Sequence, residues 1–348
     1  MAGALLDPAG TRMRSPILFL VFNRPDTTRR AFEAIRAARP PRLYVAADGP
    51  RGDRPGERER CAETRRIATA VDWPCEVRTL FQDVNLGCRL GPITGLDWFF
   101  EREPEGVVLE DDILPLPSFF AYCDELLERY RDDERVGVIC GSNLVSRRFA
   151  PRDSYFFSRY VQVWGWASWA RVWRHYDVNV GEWPAWRDRG GLKAVADGNR
   201  RFERFWQDIF DLAFAGEVNW WSYQLQFACW RHGMLASLPA CNQVGNLGFG
   251  ADSTHTRGRV PAYLRESAPR PLVWPLRHPP RVELPPLADK MIGRDVHGLG
   301  LRGAVHRYLD WVKRFLRHLP VVGDLLKRLQ VRLQALLGGF SSWHESRR

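Results

Sequence analysis

Three acids in a row, Glu110-Asp111-Asp112, follow the short apolar run Gly106–Leu109. Hard carboxylate oxygens at that spacing suit Mg2+ or Mn2+, and such an ion completes its shell with water and substrate phosphates. In extended chain alternate residues point the same way, so Glu110 and Asp112 are expected to share a face. Adjacent carboxylates repel one another unless a cation or a basic group neutralises them. The plainer reading is a solvated acidic turn that caps the next helix. Position favours the metal, because the triplet ends an apolar run and two earlier apolar runs also end on polar residues.

Those earlier runs are Ser15–Phe22, which stops at Asn23-Arg24-Pro25, and Leu43–Ala47, which stops at Asp48-Gly49-Pro50. Asp48 can accept hydrogen bonds from a nucleobase or ribose, or it can close an Asx turn. Asn23, Arg24 and Arg89 can meet a base or a phosphate; the alternative is a turn residue and two surface cations. His255 follows the glycine-rich stretch Gly245–Gly250 and is a candidate ligand for metal or phosphate, against a purely structural role.

The elements that would position these residues are legible. Ser15–Phe22, Leu43–Ala47, Cys75–Phe81, Gly106–Leu109 and Val136–Cys140 read as strands. Asp26–Arg39, with Asp26 or Thr27 as cap, Ile93–Glu101 and Pro117–Tyr130 read as helices. Arg51–Glu63 reads as a charged loop leading into a helix. The alternation over 15–145 predicts an α/β unit with a mostly parallel sheet, whose ligands bind beyond the carboxyl ends of the strands. Further helices are expected over Phe202–Ala215 and near Tyr223–His232, and eight prolines in 261–286 predict an extended wrap.

Composition narrows the class. The 348 residues carry a formal net charge of +10. Residues 301–348 hold 10 Lys and Arg against 3 Asp and Glu, which leaves the body at +3 and argues against a nucleic-acid partner. In that tail Leu301, Val305, Leu309, Val312 and Leu316 recur on one helical face, with Arg307, Arg314 and Arg317 largely opposite. A basic amphipathic tail would sit on an anionic membrane surface, or dock on the body or a second subunit. The seven cysteines show no C-x-x-C spacing, which reads as reduced thiols. Met1–Arg14 lacks the apolar core of a signal peptide, and no apolar run approaches the roughly 20 residues that span a bilayer. Of 15 tryptophans, 10 fall between Trp164 and Trp230, which predicts either an aromatic core or a platform for sugar rings.

Several stretches together resemble one family. They are PILFLVFNRPDTT, ADGPR, NLGC, GVVLEDDILPLPSFF, WGWASWARVW, WWSYQLQFACWRHGMLASLP and NQVGNLGFGADSTHT, in order, over about residues 15–298. The chain resembles GT-A-type glycosyltransferases, the nucleotide-diphospho-sugar transferases, and within them the bacterial hemolytic-protein-like group. Its acidic triplet is similar to the Glu-Asp-Asp form of the DXD motif in N-acetylglucosaminyltransferase I-like enzymes.

That resemblance implies a GT-A, Rossmann-like α/β fold. Residues 1–14 would be a flexible N-terminus, 15–145 a nucleotide-sugar-binding half, 146–300 a Trp-rich acceptor half with the wrap, and 301–348 the amphipathic tail. It implies an inverting, metal-dependent transfer from a nucleotide-sugar to a glycan or lipid-linked acceptor in surface polysaccharide or glycolipid synthesis. The place of work would be the cytoplasm or the inner face of its membrane. By the same resemblance Asn23 and Asp48 contact the nucleotide, Glu110 and Asp111 lie near ribose and sugar, and Asp112 ligates Mn2+ or Mg2+. His255 approaches the metal or diphosphate, while Trp164, Trp166 and Tyr223 line the sugar or acceptor side. The family carries Asp-Tyr-Gln where this chain has Ser222-Tyr223-Gln224, so the acceptor-activating base passes to Asp252 or Glu217 as substitutes. A serine cannot do that work at neutral pH without a base of its own. Two rivals remain at this point: a catalytically impaired nucleotide-sugar-binding or membrane-associated protein, and a nucleotidyltransferase. The latter normally shows a glycine- and Lys/Arg-rich phosphate loop after the first strand, and none follows Phe22.

Overall fold

The computed structural model describes residues 13–248, 267–285 and 287–300. Asp252, His255 and the 301–348 tail lie outside the described residues. The fold is α/β. Strands β1 (Ile17–Val21), β2 (Arg42–Ala47), β3 (Glu76–Phe81) and β4 (Glu105–Glu110) are parallel, with β1 between β2 and β4. Beyond β4 the sheet continues with β8 (Trp166–Trp169), β6 (Val136–Cys140), β9 (Leu235–Pro239) and β7 (Tyr155–Ser158). Six of these strands run one way, and β7 and β8 run against them. A separate ladder pairs β5 (Ile113–Pro115) with β10 (Val244–Asn246).

The continuous apolar runs are strands because both faces of the sheet are covered; all five residues of β1 are buried. Strand β3 is the exception. It is the sheet edge, mostly exposed, and carries Glu76 and Arg78, charges of the kind that discourage pairing with another chain. Helix α1 (Pro25–Ala38) starts ahead of the expected caps Asp26 and Thr27: Pro25, with φ preset, takes the first turn and Arg24 becomes the N-cap. Helices α2 (Glu57–Ala68), α3 (Gly87–Phe100) and α4 (Pro117–Arg129) complete the first half. Helix α3 lies close on β1 and β2 because Gly95 has no side chain. A Cβ there would stand 2.8 Å from Leu20 Cδ2 and 2.9 Å from the Ala46 methyl.

The later half adds α5 (Ala170–Trp173), α6 (Trp183–Asp188), α7 (Gly191–Ala196), α8 (Arg200–Phe214), α9 (Ser222–Arg231) and α10 (Ala288–Asp295). Helix α8 begins where the Asn199 side chain accepts from the backbone of Arg201 and Phe202. Trp166, Trp169, Trp183 and Trp206 are among the largest fully buried side chains, so much of the tryptophan excess is core. The proline-rich segment is an extended wrap without regular elements over its described residues. It is pinned by reciprocal bonds between Ser154 and Arg277, by Trp274 Nε1 on Glu125, and by His278 between Tyr155 and Glu125. Among the described residues no helix is long and apolar enough to cross a membrane.

At the far end of α9, His175 and His232 stack with ring centroids 3.8 Å apart. Burial lowers both pKa values, and Arg231 presses on both rings; Arg174 and His232 itself press further on His175. The unfolded chain therefore takes these protons more readily than the folded one, and stability falls as pH drops through the ordinary histidine range. Wild-type protein should lose more Tm between about pH 7.5 and about pH 5.5 than a His175→Asn/His232→Asn double variant. Equal losses in both would contradict this.

Candidate functional site

The carboxyl ends of β1, β2 and β4 bring Asn23–Arg24, Asp48 and Glu110–Asp112 to one edge of the sheet. Register fixes this: Leu20 pairs with Glu110 across β1 and β4, and Val21 with Ala47 across β1 and β2. Strand β4 ends at Glu110, and Asp111 and Asp112 form a turn. The alternation expected to place Glu110 and Asp112 on one face therefore stops at Glu110. Instead Asp111 folds back to accept from the backbone N–H of Phe22 at 3.2 Å. The Arg24 guanidinium spans the turn, 2.9 Å from Asp112 Oδ2 and 3.5 Å from Asp111 Oδ1. The β5–β10 ladder anchors the far side, and Leu247 N–H donates to the Asp112 carbonyl at 2.7 Å. Gly248 packs so tightly there that a Cβ would overlap the Asp112 carboxylate.

Among the described residues, three carboxylates of this turn face the Arg24 guanidinium. Burial raises the pKa of Glu110, and the Asp112 and Asp111 charges push it further. Burial raises Asp111 as well, with Asp112 adding to it and Arg24 opposing. A divalent cation beside such acids would favour their charged forms. Among the described residues no group of three or more His, Cys, Asp and Glu side chains could hold a metal ion unaided. Mg2+-type sites commonly use one or two carboxylates and take the remaining ligands from substrate phosphates and water. The donor set, oxygen ligands from adjacent carboxylates, fits such an ion.

Asp48 is committed to its own loop: it accepts from the backbone of Gly49 and Leu86 at 2.8 Å, from Gly87 at 3.0 Å, and from Asn85 Nδ2 at 2.9 Å. It thereby ends β2 and caps α3 at once. Arg89, on α3, donates to the Val178 carbonyl at 3.1 Å and lies 3.4 Å from Asn179 Oδ1. The later residues reach the same edge through Cys88, whose thiol donates to the Asn219 carbonyl at 3.0 Å. Cys88 also lies within electrostatic reach of Asp48 and Glu110. Asn219 stands between the exposed Glu217 and Ser222, the first residue of α9.

The aromatic candidates divide. Trp166 is a core residue, 1% exposed, with Phe100 and Trp221 as ring neighbours at 6.5 and 6.0 Å. Trp164 is partly buried and precedes β8. Gly165, at φ +57, separates it from the strand, and the β4–β8 pairing stops at Val108 opposite Trp166. Tyr223 is half-buried against Trp206 and Trp220, at 5.4 and 4.8 Å.

Sequence reasoning passed over Glu57 and Arg51. Glu57 opens α2, is fully buried, and holds both Asn23 and Arg51. Its one sequence signal is an acid at the first helical position after a glycine, which in a charged stretch does not stand out.

No protein-family model matches the chain, and no curated protein does. Among solved structures the chain is similar to the mannosyltransferase PcManGT from Pyrobaculum calidifontis in complex with GDP-Man and Mn2+. The two are 14% identical over 65% of this chain and 70% of that one, with a TM-score of 0.33.

Proposed function

We propose that the protein transfers a sugar from a nucleotide-diphosphate-sugar donor to an acceptor hydroxyl, with Mn2+ or Mg2+ held at Asp112. The observation that carries this reading is the acidic turn at the carboxyl end of β4, where three adjacent carboxylates, Glu110 and Asp111 among them with raised pKa values, gather beside Arg24. The sequence motifs around it, read in order, support the same donor class. The bound cation would supply Lewis-acid charge to the leaving diphosphate. Arg24, whose guanidinium geometry suits phosphate oxygens, adds a second positive group at the same place. Glu110 would face the ribose and sugar, whereas Asp111, buried and turned back onto the Phe22 N–H, would hold the turn in place.

In this reading the acceptor oxygen forms a bond to the anomeric carbon as the bond to the diphosphate oxygen breaks. The nucleoside diphosphate leaves, the acceptor proton passes to a carboxylate, and the anomeric centre inverts. Glu217, exposed in the loop before α9, is the described candidate for that base; Asp252 is the other. Trp164 and Tyr223 would line the acceptor side, and the acceptor itself would be a surface glycan or glycolipid. The tail would bring the enzyme to an anionic membrane. Ser222 at the start of α9 favours one rival, a protein that binds nucleotide-sugars without turning them over. Metal-dependent release of nucleoside diphosphate from a panel of nucleotide-sugars separates the two: the transferase releases it, and the binding protein does not.

A further inference from the structure

Glu57 is 0% exposed at the first position of α2. A carboxylate removed from water needs full compensation, and the source of that compensation is informative. The backbone N–H of Arg51 donates to it at 2.7 Å, the Arg51 side chain through Nη2 at 2.5 Å and Nε at 3.0 Å, and Asn23 Nδ2 at 2.8 Å. These partners hold its pKa down at about 2, the Arg51 side-chain bonds contributing most. From its own helix, Arg60 stands 4.0 Å away. The buried charge therefore binds the chain ends that follow β1 and β2.

The Arg51 guanidinium also lies 5.5 Å from the centre of the Phe22 ring. Phe22 bonds Asp111 through its backbone, and Arg24 pairs with Asp112. The three residues Phe22–Asn23–Arg24 thus join two clusters, the acidic turn on one side and Glu57 with Arg51 on the other. With Nδ2 committed to Glu57, Asn23 turns its carbonyl Oδ1 away from that contact as an acceptor. With Nε and Nη2 committed, Arg51 keeps Nη1 as a donor on a side chain that is 45% exposed.

We propose that Glu57 is a positioning residue that fixes Asn23 and Arg51 as the nucleoside-holding wall of the donor site. This rests on the nucleotide-sugar reading above. Preorganised polar groups raise affinity because their ordering cost is met on folding and not on binding. The wall serves the nucleoside, and the acidic turn serves the metal and diphosphate, so the two parts should fail separately.

Calorimetric titration tests this with UDP and GDP as probes, each with Mn2+, on wild type, Glu57→Gln and Arg51→Lys. Glutamine keeps the shape and can still accept from Asn23, but it cannot balance Arg51; lysine keeps the charge but loses the two-pronged contact. Both variants should bind the preferred nucleotide about tenfold or more weakly. Mn2+ alone, followed by the spectroscopic signal of the free ion, and Mn2+ with inorganic pyrophosphate should bind all three proteins equally. Wild-type affinity for the nucleotide in both variants would overturn the proposal. So would a parallel loss of Mn2+, pyrophosphate and nucleotide, since that marks a general structural role. A wild-type protein that binds neither UDP nor GDP would overturn the donor reading itself and this proposal with it.

Discussion

Replacing Asp112 with asparagine should lower turnover of the nucleotide-sugar by about 10³-fold, the scale seen when a principal electrostatic group is removed from a reacting centre, while Tm changes little. The two halves of this expectation have one cause. Asp112 crowds Glu110 and Asp111, and its charge raises the pKa of both. Asparagine keeps the size and a hydrogen-bond acceptor for Arg24 but removes that repulsion. The folded chain loses the charge on the 2.9 Å Arg24 contact but also the repulsion among the three acids, two effects of opposite sign, while a bound metal would lose its principal anionic ligand. A variant that retains wild-type turnover would show that Asp112 is not the ligand. A variant that loses Tm and turnover together would show that the turn is structural.

Asp48 should behave in the opposite way. Its carboxylate accepts from the backbone N–H groups of Gly49, Leu86 and Gly87 and from the Asn85 side chain, all partly buried. Asp48→Ala leaves the backbone amides of Gly49 after β2 and of Leu86 and Gly87 at the start of α3 without this acceptor, and Asn85 Nδ2 keeps only the Gly49 carbonyl. At about 1 kcal/mol for each lost bond, the cost is about 3–4 kcal/mol. For a chain of this size that lowers Tm by about 4–6 °C. Because α3 carries Cys88, whose thiol holds the loop before α9, nucleotide binding should weaken as a consequence. An unchanged Tm with weakened nucleotide binding would mean instead that Asp48 serves as a direct nucleotide ligand. Thermal unfolding of the variant without ligand decides between the two.

These expectations rest unequally on sequence and on structure. The strands β1, β2, β4 and β6 are legible because buried parallel strands are continuous apolar runs, and their polar ends mark the functional edge of the sheet. Strand β8 is not legible. Its four residues, Trp-Ala-Ser-Trp, show no run and no extended alternation, and its place between β4 and β6 depends on pairing with residues far away in the chain. The short β5–β10 ladder is hidden for the same reason, although it anchors the acidic turn. The triplet was evident as chemistry, but its geometry was not: alternation cannot anticipate a turn that begins at Asp111. Glu57 shows the limit most clearly. A glutamate in an arginine-rich stretch reads as solvent-exposed, and only the fold reveals that Arg51 and Asn23 enclose it.

The central claim is that this sheet edge activates a nucleotide-sugar through a divalent cation. The direct measurement is release of nucleoside diphosphate by the full chain from a panel of nucleotide-sugars, with Mn2+ or Mg2+ and with excess chelator. The account predicts release from at least one donor with metal and none in chelator. Turnover at full rate in chelator, or no turnover of any donor with either metal, would contradict it.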